Sequence, residues 1–144
     1  EELRNHLLSV TYFGRITMEY KLNPTDAELE LLKILWNHGP CTVNQVHALL
    51  KDNPPRGYTT ILKLLQIMAE KGLVRRDEKS RAHVYQAIVS HAQVNSTLVK
   101  RLLARAFDNS AGKLIAQALA TRPISPEELA KIRLMLDEIE KRSK

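Results

Sequence analysis

Mainly α, with one small β-hairpin and a helical C-terminal region, is the fold class this sequence predicts. Three observations carry it. Apolar residues recur at three-to-four spacing along most of the 144 residues, the signature of amphipathic helices. The period drops to two in a single stretch, residues 73–88. Aromatics make up only 5% of the chain and glycines number five, lean for a β-sandwich, whereas richness in Leu, Ala, Lys and Arg favours helix. The length suits one domain with or without an appendage and excludes a catalytic barrel, which takes about 250 residues. At 44% hydrophobic the chain can bury a core.

Residues 1–21 read as an N-terminal extension, either added sequence or a flexible arm. Glu1 stands where Met would, and Met18 precedes the first strong helix signal. Two glutamates open the chain where a signal peptide needs a basic region. No apolar run approaches the ~18 residues of a membrane span. The single cysteine, Cys41, allows no intrachain disulfide and fits a reducing cytoplasm, which is the expected location, with no direct membrane binding.

Residues 22–90 read as one domain. Thr25-Asp26-Ala27-Glu28 is a capping box and starts the first helix. Ala27, Leu31, Ile34 and Leu35 form one apolar stripe, and Leu29, Leu32 and Trp36 an adjacent one, so this helix packs on two sides. Gly39-Pro40 stops it. A second capping box, Thr42-Val43-Asn44-Gln45, opens a short helix with Val46, Leu49 and Leu50 inward, ending at Asp52-Asn53-Pro54-Pro55. In the third helix Ile61, Leu64, Leu65 and Met68 fall on one face and Thr59, Lys63, Gln66 and Glu70 on the other, with Thr60 and Ile67 on the flank and Gly72 as its end. Residues 73–76 and 82–88 then alternate as two strands around the charged turn 77–81.

Residues 91–144 read as a helical region. Ser90-His91-Ala92-Gln93 fits a cap, after which Val94, Leu98, Leu102 and Ala106 recur every fourth residue beside Val99 and Leu103. Asp108-Asn109-Ser110 breaks that helix, and Leu114, Ile115, Ala118 and Leu119 mark the next, ended near Pro123. Ser125-Pro126-Glu127-Glu128 places a cap, a first-turn proline and an acidic first turn together. Leu129, Ile132, Leu136 and Ile139 follow at coiled-coil-like spacing. These stripes exceed what one small domain buries, so dimerisation is expected through Leu98, Leu102, Leu103, Phe107, Leu114, Ile115, Leu119, Leu129, Ile132 and Leu136.

Three helices followed by a hairpin with a basic turn is the order of a winged helix-turn-helix. The apolar stripes of the second and third helices pack together and leave the polar face of the third outward, where it can enter a DNA major groove and meet distinguishable base edges. Tyr58, Thr59, Thr60, Lys63 and Gln66 have the residue types for bases and phosphates. Thr42 and Asn44 stand at the start of the second helix, and Arg75, Arg76, Lys79 and Arg81 supply the wing. The formal net charge of +6 is distributed accordingly. Residues 56–90 carry seven basic and three acidic side chains, while residues 22–55 carry two and four. Residues 91–124 hold five basic and one acidic, an excess that groove contact does not by itself explain.

The residues also support a resemblance. Leu29-Glu-Leu-Leu-Lys-Ile-Leu-Trp-Asn-His-Gly-Pro-Cys-Thr-Val-Asn-Gln-Val-His47 resembles the first half of the penicillinase-repressor family, the BlaI, MecI and CopY types. The stretch from Gly57 to Arg76 is similar to that family's recognition helix and first wing strand, and Arg81-Ala-His-Val-Tyr85 to its second. Residues 98–119, with Phe107-Asp-Asn-Ser110, resemble its dimerisation segment. The resemblance implies a homodimeric transcriptional repressor whose winged domains each bind half of a double-stranded palindromic operator. It also implies relief of repression by proteolysis in the dimerisation region, here at Asn109, Ser110 and Ala111, after a membrane metallopeptidase senses a β-lactam. Members relieved this way carry Asn-Phe where this chain has Asn109-Ser110, and tend to carry Arg where it has Ile67, which can touch a thymine methyl or pack. Copper-responsive members carry C-terminal Cys-x-Cys pairs that this chain lacks.

Two other functional classes stay open from the residues: a ligand-sensing winged-helix regulator of the MarR type, and a winged module that grips another protein. Enzyme signatures are missing, with no Gly-x-Ser-x-Gly, no phosphate-cradling glycine loop and no His-Glu-x-x-His. The histidines show no ligand spacing, so neither metal nor cofactor is expected. Cys41 precedes a helix N-terminus, which can activate a thiol, but an inert cysteine is the reading adopted.

Overall fold

The structure is a computed structural model and describes residues 23–50 and 56–143. The N-terminal extension and the Pro54-Pro55 helix stop lie outside the described residues. Helix α1 spans Asp26–His38, strand β1 Cys41–Thr42, helix α2 Val43–Leu49 and helix α3 Tyr58–Lys71. Strands β2 (Val74–Asp77) and β3 (Val84–Ala87) follow, then helices α4 (His91–Ala106), α5 (Ala111–Thr121) and α6 (Pro126–Arg142). The chain divides into two compact units, with the division inside α4 between Val99 and Lys100.

The first unit is a three-helix core closed by an antiparallel sheet in the order β1-β3-β2. Its register sets Cys41 opposite Tyr85, and Tyr85 opposite Arg76. Leu31, Leu32 and Leu35 of α1, Val46 of α2, and Ile61, Leu65 and Met68 of α3 meet Leu73, Val74 and Tyr85 in one buried cluster. The expected stripes therefore converge, except that Leu49, expected inward at the end of α2, is exposed. Both capping boxes form: Thr25 Oγ1 accepts from the Glu28 amide at 3.2 Å, and Thr42 Oγ1 from the Gln45 amide at 3.2 Å.

Glu28 does more than cap. It is 1% exposed, and its carboxylate accepts two hydrogen bonds from Lys71 Nζ, at 2.6 and 3.1 Å, joining the start of α1 to the end of α3. Burial works against its ionisation, but the hydrogen bonds from Lys71 and from the Thr25 backbone and hydroxyl outweigh it and hold the carboxyl below its ordinary range. The helical spacing does not reveal this buried charge.

The sheet differs from expectation in two respects. β1 has no counterpart in the sequence pattern, because two residues carry no period. The first hairpin strand starts one residue later than the alternation suggests, at the same length, and the second is shorter. Gly72, at φ 80°, ends α3 in the left-handed conformation, and the Leu73 amide donates back to Met68 O at 2.9 Å, so Leu73 closes the helix before β2 begins. At the other end Ser80 Oγ donates to Ala82 O at 2.7 Å, which keeps Ala82 in the turn. Cys41 is buried. Its Sγ donates to Gly39 O at 3.3 Å, and burial pushes its pKa up; both oppose an activated thiolate. α4 begins within this unit: Val94 is fully buried, Trp36 Nε1 donates to Val89 O at 3.0 Å, and the Trp36 and His91 rings stack at 4.6 Å.

In the second unit Asp108 and Asn109 take φ of 51° and 57°, the left-handed turn that these two residue types tolerate. Ser110 caps α5 through the Lys113 amide at 3.2 Å, and Ser125 caps α6 through the Glu128 amide at 3.1 Å. Neither α5 nor α6 buries a residue. Leu102, Ile115, Leu119, Leu129 and Leu136 are exposed, and Leu98, Leu103, Phe107, Leu114 and Ile132 are half-buried. Among the described residues no helix is long and apolar enough to cross a membrane.

Candidate nucleic-acid interface

The packing of α3 decides what it shows to solvent. With Ile61, Leu65 and Met68 fully buried, the 3.6-residue period turns Thr59, Thr60, Lys63 and Gln66 outward, and all four are exposed. Ile67 is half-buried, which favours packing over a free contact. The N-cap of α3 is Gly57, with no side-chain cap, so the first amides of the helix keep unspent donors beside Tyr58. Donors in that position suit a phosphate.

Strand alternation sorts the wing. Val74 points inward and is 1% exposed, so Arg76, two residues on, stands on the same side, while Arg75 faces away and donates from Nη2 to Gln86 Oε1 at 3.0 Å. On β3 the fully buried Tyr85 puts His83 on that inner side too.

The result is a concavity of about 290 Å³ between α2, α3 and the wing. Thr42 and Asn44 enter it from the start of α2, Tyr58 and Gln66 from α3, and Arg76 and Arg81 from the wing. These are six of the residues the sequence proposed for DNA. Thr42 is half-buried and its hydroxyl oxygen already serves the cap, so it is placed at the site more as a support than as a free ligand. Thr59, Thr60 and Lys63 do not line the concavity but are exposed on α3. Arg75 and Lys79 line a different, open concavity of about 780 Å³ on the outer side of the wing, together with Pro40 and Gln86. His83 and Leu62 also line the inner concavity, and sequence reasoning missed both. The signal for His83 was available, since alternation from an inward Tyr85 places it there.

Arg76 reaches both concavities and forms an ion pair with Glu78. The Tyr85 oxygen and then the Glu78 carboxylate favour its charged form, raising its pKa further. The fully buried Tyr85 hydroxyl lies beside that guanidinium yet makes no hydrogen bond of good geometry among the described residues. Lys79 is set by the turn itself, its amide donating to Asp77 Oδ1 at 2.9 Å. No group of three or more His, Cys, Asp or Glu among the described residues could hold a metal ion. The arrangement is a cationic, amide-bearing cleft flanked by an exposed polar helix face. Such an arrangement suits an anionic ligand.

A family model described as penicillinase repressor matches residues 24–138. The chain is 24% identical over 120 residues to a protein named penicillinase repressor from Bacillus licheniformis, across 83% of this chain and 94% of that one. It is 30% identical over 116 residues to the transcriptional regulator BlaI of Mycobacterium tuberculosis, across 80% of this chain and 83% of the relative. Among solved structures, the DNA-binding domain of the repressor BlaI matches at 27% identity with a TM-score of 0.43, over 49% of this chain and 85% of that domain.

Proposed function

This chain belongs to the penicillinase repressor family, a family of DNA-binding transcriptional repressors rather than enzymes, and from that premise we propose that it acts in the cytoplasm as a homodimer occupying a palindromic operator. The observation that carries the reading is the inner concavity, lined together by Asn44, Tyr58, Gln66, Arg76 and Arg81. A groove wall of this kind lets α3 lie along base edges while α2 and the wing hold phosphates on either side. Lys and Arg then supply sequence-independent affinity by releasing counterions, and α3 supplies the discrimination. Two such units related by a two-fold axis match the two halves of a palindrome.

Relief of repression proceeds in this reading by cleavage at Asn109, Ser110 or Ala111, through a pathway headed by a membrane metallopeptidase that responds to β-lactam. The exposed left-handed turn at Asp108 and Asn109 supports that placement, because a cut there separates α4 from α5 and divides the apolar surface of the second unit.

Titration of the full chain against its own upstream DNA and a scrambled duplex, at several salt concentrations, tests the operator reading. Tighter binding to the upstream DNA, with affinity falling as salt rises, is expected. Equal affinity for both duplexes would overturn it. Mass analysis of the chain recovered from β-lactam-treated cells tests the cleavage; an intact chain alongside full derepression counts against it.

A further inference from the structure

Arg76 differs from the other wing cations in one respect. An acid already holds it: its guanidinium is paired with Glu78 in the adjoining turn. Among the described residues Arg75, Lys79 and Arg81 form no ion pair; Arg75 rests on the neutral Gln86. The neighbouring acid, Asp77, accepts the Lys79 amide through Oδ1, and the ion pair of Arg76 is with Glu78. Arg76 is also the wing residue common to both concavities, so it stands where a phosphate would be met.

We propose that Glu78 is a built-in competitor of DNA phosphate for Arg76, and so sets the sequence-independent part of this protein's affinity for DNA. This rests on the reading of the inner concavity as the DNA site. In the free protein the Glu78 carboxylate, on the outer side of the wing, occupies the guanidinium that a phosphate oxygen in the inner concavity would need. Binding then requires the Arg76–Glu78 pair to open, and the guanidinium exchanges one oxyanion for another instead of gaining a first one. Arg76 keeps its position during the exchange because it projects from the inner face of β2, opposite the buried Tyr85. Glu78 is free to leave, since it lies in the exposed turn with its side chain 57% exposed. An exposed pair of this kind is weak, so the competition moderates binding and does not abolish it. The effect concerns phosphate and is blind to sequence. It therefore falls equally on operator and non-operator DNA, and lowers occupancy of the many competing sites a genome offers.

The test is a double-mutant cycle on the full chain, read as Kd for upstream and scrambled duplexes at low and moderate salt. Glu78→Gln should bind both duplexes about two- to fivefold more tightly at low salt, the range an exposed ion pair supports, with the advantage shrinking as salt rises. In an Arg76→Gln background, itself weaker on both duplexes, Glu78→Gln should bring little gain. No gain in the wild-type background would overturn the proposal. An equal gain in the Arg76→Gln background would overturn it too, because the effect would then be general repulsion between Glu78 and DNA. All these side chains are exposed, and unchanged thermal melting verifies that each variant folds. A wild-type chain that binds neither duplex at any salt would overturn the DNA reading itself, and the inference with it.

Discussion

Lys63 and Glu28 show how the same helical periodicity can be informative at one residue and silent at another. Lys63 sits opposite the buried row Ile61, Leu65 and Met68, so the sequence alone placed it outward. On the proposal that it faces the groove, replacing Lys63 by Ala should weaken operator binding by about 1–3 kcal/mol, the range of a specific contact, without moving the urea midpoint. Unchanged Kd would argue against groove insertion of α3. Glu28 occupies a position the spacing marks as a first-turn capping residue, and nothing local tells that Lys71 will come to meet it. Its lowered pKa fixes the sign of its pH effect. The folded-state value lies below the unfolded one, so the unfolded chain binds the proton more readily. The stabilisation is thus present above the ordinary carboxylate value of 4.5 and is lost as pH falls through the lower folded-state value. Glu28→Gln should cost about 1–3 kcal/mol at neutral pH, as expected for a charged partner removed from a buried hydrogen bond. Its urea curve and that of the wild type should converge as pH falls below that ordinary carboxylate value. A constant gap across pH would assign the loss to packing instead.

At the scale of the element, helix ends were legible because their chemistry is local. Thr25, Thr42, Ser90 and Ser125 all cap where expected, and glycines close α1 and α3. The two closing glycines are nonetheless different. Gly72 lies in the ordinary left-handed region, φ 80° and ψ 20°, which Asn tolerates. Gly39 has φ 78° but ψ −164°, a region open essentially to glycine alone. Gly72→Asn should therefore cost less than about 1 kcal/mol, and Gly39→Asn about 1–3 kcal/mol, measured by chemical denaturation. The space around Gly39 is empty within 4 Å of an added Cβ, so a penalty there is conformational and not steric. Strands were less legible. β1 exists only because Cys41 and Thr42 pair with Tyr85 and Val84, more than forty residues away in sequence. Alternation did define the wing, yet the sequence reading treated Arg75 and Arg76 alike. Which one faces α3 depends on Val74 being buried, a tertiary fact that becomes readable only when the inward residue of one strand is known.

At the scale of the molecule, the two units are built with different self-sufficiency. The first has a contiguous core in which Leu31, Leu32, Val46, Ile61, Leu65, Met68 and Tyr85 reach zero exposure. In the second, α5 and α6 bury nothing, while Leu134, Met135, Leu136 and Ile139 stand more than half exposed. A segment this short cannot bury enough surface to be stable by itself, and contiguous exposed apolar surface marks an association site. The sequence made the apolar seam Leu129, Ile132, Leu136 and Ile139 plain, but a period identifies a sticky face without identifying what covers it. The proposed homodimer would cover the seam with a second copy of the chain and match the palindrome of the proposed operator. Replacing Leu136 and Ile139 together by Glu should convert the protein to a monomer by sedimentation. It should also lower its affinity for a two-half-site duplex toward that for a single half-site, since linked half-sites gain through effective concentration. The thermal transition of the winged unit should survive, because neither residue contributes to its core. A variant that remains dimeric would place the interface elsewhere, on Leu98 to Leu119, where the unexplained basic excess of residues 91–124 also lies. A monomer with undiminished affinity for the paired site would instead separate dimerisation from operator recognition.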